Sequence, residues 1–329
     1  SYGARFSARL DRILREWTAG GRQIARPLKA IFLLFLFLTV AALTTQNFVN
    51  EYHNLEAPLD QATDTAEKLL QHQKATGTSG LEQTLLGITT NSAMIEAMKS
   101  GSTDNIRAAA TKLLAEMETF HDVSEFTIYD AGLTHEYQAF EPGLFEKADT
   151  TYLVRLAKTV DRVTRGFELD STGQTAIAVV RPWKVDGKLI GFIKLTMNLR
   201  RPLILIGSSL NTEVLEVYSK DHLKNNPRLM LRSDGWDSSG DHAYLKATSG
   251  HLPENFDTLL EQGLSSSSFL SRMFTDRGRL KVLSSVPLTM ADGSNPSTLI
   301  LLHDITDSFR SFARSTGVSL LIGIILAIF

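Results

Sequence analysis

A small set of polar and aromatic side chains near the middle of the sequence could bind a small molecule. Lys194 follows Ile190 and Phe192 at a spacing of two, so in a β-strand all three would lie on one face. A buried ammonium group is costly without an anionic partner, and a ligand carboxylate or phosphate could supply one. Arg181 could act as a second, bidentate donor. We predict that the ligand-binding residues are Tyr129, His135, Tyr137, Arg181, Trp183 and Lys194.

The aromatic residues of this set have two interpretations. In a pocket, Tyr129, Tyr137 and Trp183 would provide apolar walls with polar tips. Alternatively, Lys194 faces solvent on an edge strand and the aromatic residues belong to the core. For Trp183, packing in a turn is favoured over contact with a ligand. Residue types and spacing leave both interpretations open.

The sequence lacks the patterns that catalytic and metal sites require. Its eight histidines include no i,i+3 or i,i+4 pair and no His-Glu-x-x-His, and neither a Gly-x-Ser-x-Gly elbow nor a phosphate-binding loop is present. The absence of cysteine excludes disulfides and thiolate metal sites. Asp234, Asp237 and Asp241 lack the spacing of an EF-hand loop. We therefore predict no catalytic residue, no metal and no cofactor. The net charge of −2 argues against a nucleic-acid partner.

An uncharged stretch near the N-terminus predicts a membrane helix over residues 30–50. As a helix it would span about 31 Å, close to the ~30 Å hydrocarbon core of a bilayer. The alternative is the apolar part of a signal peptide. Residues 1–29 carry seven basic and two acidic residues, which predicts a cytoplasmic arm. Apolar residues at helical spacing are typical of a helix on the anionic membrane surface, or of one packed on a neighbouring subunit: Phe6, Leu10, Ile13, Leu14 and Trp17.

The C-terminal stretch predicts a second membrane helix. Residues 317–329 are uncharged and too short to cross a bilayer, so we expect a truncated span. A connecting helix over residues 304–316 would lead into it, with Asp304 as a suitable N-cap. If both spans cross the bilayer, the chain is a two-pass membrane protein and the whole sequence between the spans lies on the outer side. The lipid bilayer would then be a partner of both ends of the chain.

The region between the two spans predicts an α+β fold. A stalk helix over residues 51–80 would be bent or broken at Pro58 and ended by the glycines of 77–80. Helices near 81–98 and 104–120 would follow, then a hairpin (125–130 and 134–140), a helix (149–165) and three strands (167–171, 174–181 and 188–197). This order indicates one antiparallel sheet with helices on a face.

A second, smaller pass has a similar order. A short helix (202–210) and a strand (213–219) precede weaker strands (228–232 and 243–248) around Trp236, where Tyr218, Trp236 and Tyr244 are expected in the core. A helix (253–262) and two strands (279–287 and 296–303) close it. We therefore predict two tandem modules, each with a central antiparallel sheet: a membrane-distal one over 81–200 and a membrane-proximal one over 201–303.

Three motifs in this order resemble the double Cache (PAS-like) sensory domains of bacterial transmembrane receptors. They are VDGKLIGFIKLTMNL (185–199), EVLEVYSKDHL (213–223) and LLHDIT (301–306). The resemblance implies a homodimeric inner-membrane receptor that binds a small molecule outside the cytoplasm and drives a kinase, cyclase or chemotaxis output. Arg181-Pro182-Trp183-Lys184 departs from the Arg-x-Trp-Tyr signature of amino-acid-sensing members, so that ligand class is not implied.

Two other functions remain open from the sequence. The chain could be a ligand-free, membrane-anchored module that assembles partners, or the regulatory part of a membrane cyclase or kinase whose catalytic domain follows Phe329. No catalytic site is expected in either case within this chain.

Overall fold

The computed structural model describes most of the chain and divides it into two units. It describes residues 2–116, 123–139, 143–145, 150–170, 174–220, 237–239, 242–246, 253, 256–265 and 268–328. Side chains are described from residue 31 onward, except at 114, 116, 136, 143–145, 237–239, 243–246, 263, 265, 324 and 326–328. One unit, here called the terminal unit, comprises Ser1–Pro58 and Ile305–Phe329. The other, here called the body, comprises Leu59–Asp304.

The first helix, α1, runs from Tyr2 to Thr90 without a break. The predicted end at residues 77–80 is therefore wrong, and Pro58 does not break the helix. A helical glycine costs only about 1 kcal/mol, and burial of Leu85 and Ile88 in the core of the body outweighs this. Gly77 has a packing role instead, because a Cβ atom there would lie 2.5 Å from Met197 Cε of the sheet.

The terminal unit contains an antiparallel helix pair. The last helix, α7 (Thr306–Ile328), lies against the N-terminal part of α1. Asn47 Nδ2 donates to Ser319 Oγ at 3.0 Å, and the rings of Phe48 and Phe312 are 5.5 Å apart. Within the described residues, only the part of α1 from Ile31 onward is long and apolar enough to cross a membrane. The side chains of the predicted cytoplasmic arm, residues 1–29, are not among those that the structure describes, so its apolar face stays a prediction.

The first sheet has six antiparallel strands in the order β3-β2-β1-β6-β5-β4. The helix between β3 and β4 is shorter than predicted, because Asp161 adopts a left-handed conformation (φ 51°) and β4 includes Arg165 and Gly166. The strands and helices are β1 (Val123–Asp130), β2 (Glu136–Gln138), β3 (Gly143–Phe145), β4 (Thr164–Leu169), β5 (Thr175–Val185), β6 (Lys188–Asn198), α2 (Ser92–Ser100), α3 (Thr103–Glu116) and α4 (Tyr152–Val160).

The two faces of the first sheet are covered by different helices. One face, with Phe126 and Leu195, packs on α1, α2 and α3. The other face, here called the α4 face, contacts Leu153 and Val154 of α4. Its central residues are Glu125, Thr127 and Tyr129 of β1 with Phe192, Lys194 and Thr196 of β6.

The second sheet repeats this strand order almost completely. Its order is β8-β9-β7-β12-β11-β10, so β7 lies between β9 and β12 as β1 lies between β2 and β6. Helix α6 covers one face through Phe256 and Leu260. The elements are α5 (Arg200–Leu210), β7 (Glu213–Ser219), β8 (Asp237–Ser239), β9 (His242–Lys246), α6 (Phe256–Ser265), β10 (Met273–Asp276), β11 (Arg279–Leu288) and β12 (Ser297–Asp304).

Strand β10 was not expected from the sequence. It forms a hairpin with β11 through Arg277 and Gly278, which both have positive φ angles of 49° and 74°. The strand expected over 228–232, together with Trp236, Asp234 and Asp241, lies outside the described residues.

Candidate functional site

Lys194 lies at the centre of the first sheet rather than at its edge. It is on β6, opposite Thr127 of β1 and Val180 of β5, and only 1 % of its surface is exposed. The alternative that placed Lys194 in solvent on an edge strand is therefore wrong.

Two carboxylates of the body itself supply the anionic partners of Lys194. The Nζ atom lies 3.5 Å from Glu168 Oε2 and 3.7 Å from Glu125 Oε1. Glu125 Oε1 also accepts a hydrogen bond from Thr127 Oγ1 at 2.8 Å, and Glu168 Oε1 accepts one from the backbone N–H of Leu153 at 2.7 Å. These contacts join β1, β4, β6 and the first turn of α4 into one buried ionic group, here called the Lys194 group.

The electrostatics of this group keep Lys194 charged. Burial acts to lower the pKa of Lys194, but the carboxylates of Glu125, Glu168 and Asp170 outweigh it and raise the pKa above its ordinary value. Glu125 Oε2 and Glu168 Oε2 are buried and accept no hydrogen bond from the part of the chain that the structure describes. One ammonium group, that of Lys194, thus lies among the carboxylates of Glu125, Glu168 and Asp170.

Of the other predicted site residues, Tyr129 alone lies in the sheet on the same face as Lys194. It is buried against Phe192 and Leu153. Tyr137 and Trp183 belong to the opposite core, on the α1 side of the sheet. Trp183 is fully buried and its Nε1 donates to the carbonyl of Thr89 at 3.0 Å, at the end of α1.

Arg181 and His135 are also separated from Lys194. Strand alternation places the half-buried Arg181 on the α1 side, with Val179 and Trp183. His135 is exposed in the turn after β1, where its backbone N–H donates to Asp130 Oδ1 at 2.9 Å. Burial acts to raise the pKa of Asp130, but hydrogen bonds from His135 and Thr134 outweigh this and lower it. The structure thus brings Tyr129 and Lys194 together and places the other four residues elsewhere.

Sequence reasoning missed Glu125 and Glu168, the residues that complete the group. Glu125 carried a usable signal, because it lies two residues before Thr127 and so shares its face. Glu168 carried none, because its proximity depends on β4 lying two strands away from β6. Among the described residues, no three His, Asp or Glu side chains are grouped so that they could hold a metal ion.

Comparisons of sequence and of structure give different results. No family model and no curated protein matches the sequence. Solved structures do match. The ligand-binding domain of the Campylobacter jejuni chemoreceptor Tlp3, in complex with L-valine, is 12 % identical with a TM-score of 0.42, over 78 % of this chain and 96 % of that chain. That of the Pseudomonas fluorescens chemoreceptor CtaA, in complex with L-serine, is 16 % identical with a TM-score of 0.35, over 73 % and 97 %.

A third similar structure is the ligand-binding domain of Mlp24 with asparagine. It is 12 % identical with a TM-score of 0.41, over 78 % of this chain and 98 % of that chain. All three of these structures are ligand-binding domains, and two of them are from chemoreceptors.

Proposed function

We propose that this chain is the extracytoplasmic small-molecule sensor of a bacterial inner-membrane signal-transduction receptor. The observation that carries the proposal is the antiparallel pair of α1 and α7 in the terminal unit, since these two helices adjoin the start and the end of the body in the chain. Ligand binding in the body would act through α7 on a cytoplasmic output such as a kinase, a cyclase or a chemotaxis signalling domain.

The surface of the helix pair suits lipid rather than water. On α1, Phe32 and Phe35 are 65 % and 69 % exposed, and on α7 Leu321 is 58 % exposed. A contiguous apolar surface of this kind is costly in water and is typical of a membrane interface. Further exposed apolar residues on the two helices are Ile31, Leu33, Leu34, Phe37, Leu38, Leu43, Val318, Leu320, Ile322 and Ile325.

The antiparallel contacts support the topology that we propose. Residue 47 lies beside 319, and residue 48 lies beside 312, so the ends of α1 and α7 that adjoin the body are on one side of the pair. If both helices cross the bilayer, the body lies entirely on the side opposite the basic arm, which the positive-inside tendency places in the cytoplasm.

The body suits a sensor of two tandem modules. The two sheets share most of their strand order, and each is covered on one face by a helix that follows its third strand in the chain. We infer that these are a membrane-distal and a membrane-proximal Cache-type module and that the receptor is a homodimer. A ligand on the α4 face would contact Tyr129 and Lys194, whereas Tyr137, Arg181, Trp183 and His135 would not share that pocket.

The Lys194 group also favours a second candidate, a ligand-free module that assembles partners at the membrane. Because Glu125 and Glu168 already neutralise Lys194, the site needs no anionic ligand for its stability. A regulatory role for a catalytic domain attached beyond α7 is compatible with either candidate.

Single cysteines can test the topology, because the chain contains no cysteine of its own. We expect Thr111→Cys, at an exposed position of α3 in the body, to react with a membrane-impermeant maleimide in spheroplasts. Ser7→Cys in the arm should react only after the membrane is opened. Labelling of both positions, or of neither, in intact spheroplasts would refute the two-pass sensor.

A thermal-shift screen of the full chain in detergent separates sensor from ligand-free module. Small anions, amines and sugars are the probes, and a compound that binds the folded chain raises the melting temperature by an amount that grows with its concentration relative to Kd. If the compound lies on the α4 face, Tyr129→Phe should weaken the shift, and Tyr152→Phe, at a 38 % exposed position of α4, should not. If no compound raises the melting temperature, the ligand-free module is favoured.

A further inference from the structure

A second buried polar group joins the two sheets of the body. Tyr218 of β7 donates its hydroxyl to Glu216 Oε1 at 2.5 Å, and its oxygen accepts the backbone N–H of Thr175 at 2.6 Å. Thr175 Oγ1 lies 2.6 Å from the Tyr218 hydroxyl and 3.1 Å from Ser297 Oγ of β12. Thr175 begins β5 of the first sheet, whereas the other three residues belong to the second. We call these four residues the junction group.

The carboxyl of Glu216 is the ionisable centre of the junction group. It is 4 % exposed. Burial raises its pKa to about 7, and the Asp170 carboxylate adds to this, while the hydroxyls of Thr175, Tyr218 and Ser297 partly oppose it. Glu216 therefore changes its charge near neutral pH, where an exposed glutamate stays ionised.

The groups around Glu216 come from each element packed on it. Its own strand supplies Tyr218, whose pKa is raised well above its ordinary value by burial and by Glu216. Asp170, after β4, supplies a carboxylate. Strands β5 and β12 supply hydroxyls, and β9 places the uncharged Leu245 opposite Glu216 in register.

Protonation of Glu216 changes the hydrogen bonds that this group can form. An ionised carboxylate only accepts, and it matches a Tyr218 hydroxyl that donates to it and accepts from Thr175 N–H. A protonated carboxyl gains an O–H donor and loses the charge that favours the hydrogen bonds it accepts from the hydroxyls of Tyr218, Thr175 and Ser297. These hydroxyls must then pair differently, because an unsatisfied buried donor costs about 1–3 kcal/mol. They lie on both sheets, with Thr175 on the first and Tyr218 and Ser297 on the second.

We propose that Glu216 is a protonation switch at the junction of the two sheets, so that their relative arrangement differs between acidic and alkaline solution. The proton would then be a signal in its own right, independent of any small molecule. Asp170 links this switch to the Lys194 group, since its carboxylate acts on both Lys194 and Glu216. Such a coupling is reciprocal, so a change at the Lys194 group would shift the protonation of Glu216.

Spin labels on each sheet can measure the switch in the full chain. The labels attach to Lys188→Cys in the first sheet and Thr275→Cys in the second, both exposed positions. We expect the distribution of label distances to change between about pH 5.5 and about pH 8.5, with a midpoint near the pKa of Glu216. Glu216→Gln, which mimics the protonated form, should hold the acidic distribution at both pH values. Glu213→Gln, a control on the same strand, should leave the transition in place.

Two further variants keep the test decisive if Glu216→Gln does not fold. Asp170→Asn removes a neighbouring negative charge and should move the midpoint down by about one pH unit. Ser297→Ala removes a donor to the carboxylate and should move it up, while the hydrogen bonds between Tyr218 and Thr175 are kept. Unchanged distances in the native chain, or midpoints that do not move in these opposite directions, would overturn the proposal.

Discussion

The Nζ atom of Lys194 lies 3.5 Å from Oε2 of Glu168, two strands away across the first sheet. Through its other oxygen, Glu168 also holds the N–H of Leu153 in the first turn of α4. This ion pair therefore connects the central strand β6 to both the outer strand β4 and the covering helix. It thus helps to hold α4 on the α4 face of the sheet.

The second sheet contains a related arrangement. Lys281 donates to Glu213 Oε1 and to Asp276 Oδ2, both at 2.8 Å. The two carboxylates come from the first and fourth strands, β7 and β10, as Glu125 and Glu168 come from β1 and β4. Burial acts to lower the pKa of Lys281, but these partners raise it overall. Each sheet thus uses a lysine to join carboxylates from corresponding strands.

Replacing Lys194 with Met should strongly destabilise the body. The change leaves Glu125 and Glu168 buried without their cation, and breaking a buried pair in this way costs about 3–5 kcal/mol. The expected result is a large fall in the melting temperature of the full chain in detergent. Lys188→Met, at an exposed position on the same strand, should change it little.

Adding Glu125→Gln and Glu168→Gln to Lys194→Met should restore much of this loss, because the uncompensated charges are then gone. A fall no larger than that of Lys188→Met would contradict the role of the ion pairs.

Replacing Gly166 with Ala should weaken the contact between the two sheets. A Cβ atom at Gly166 would lie 2.7 Å from Ala291 Cβ, beside the bond in which Ala291 N–H donates to the Phe167 carbonyl at 2.9 Å. We expect a loss of about 1–3 kcal/mol of unfolding free energy from this overpacking. Gly87→Ala is the matched control. Its Cβ meets no atom within 4 Å, so the change should stabilise α1 by about 0.5–1 kcal/mol. Equal effects of the two changes would contradict the contact.

Local sequence signals predicted the helices and strands of the body better than the contacts between them. Strand β7 occupies the predicted residues, and the Asp186-Gly187 turn has the positive φ angles of 52° and 76° that its residue types favour. These features depend on neighbours in the sequence. The residues that complete the Lys194 group depend on strand order, which no local pattern contains.

Residues 77–80 show how tertiary packing overrides a local signal. Two glycines in four residues predict a helix end, and each costs about 1 kcal/mol in a helix. The same absence of a side chain at Gly77 lets α1 approach Met197 and Ile177. Burial of the following turns of α1 then decides the conformation, and this term is visible only in the folded structure.

Replacing Gly323 with Val should separate α7 from α1. A Cβ atom at Gly323 would lie 2.9 Å from Val40 Cγ1, and small residues allow close helix packing in membranes. The measurement is disulfide formation between Asn47→Cys and Ser319→Cys, which replace a pair of residues joined by a 3.0 Å hydrogen bond. Gly323→Val should reduce cross-linking. Gly317→Val, whose Cβ meets no atom within 4 Å, should not. Equal cross-linking in both variants would contradict the close pairing at Gly323.

His303 should make the body sensitive to acid. It is 6 % exposed on β12, with Nε2 3.0 Å from Ser284 Oγ. Burial, with a smaller contribution from the Arg272 guanidinium, lowers its pKa to about 4. An unfolded histidine titrates near 6.5, so between about pH 6.5 and about pH 4 the unfolded chain binds the extra proton. Stability from this group is therefore complete above about pH 6.5 and is lost as the pH falls toward 4, by ~3 kcal/mol in all.

His303→Gln should remove this component, because the amide can still hydrogen-bond to Ser284 but does not titrate. The measurement is the difference in melting temperature between the native chain and the variant across this pH range. That difference should shift in favour of the variant as the pH falls. His135→Gln, at an exposed turn position, should follow the native curve. If His303→Gln instead loses stability with acid as steeply as the native chain, the buried neutral state of His303 does not contribute to the acid sensitivity.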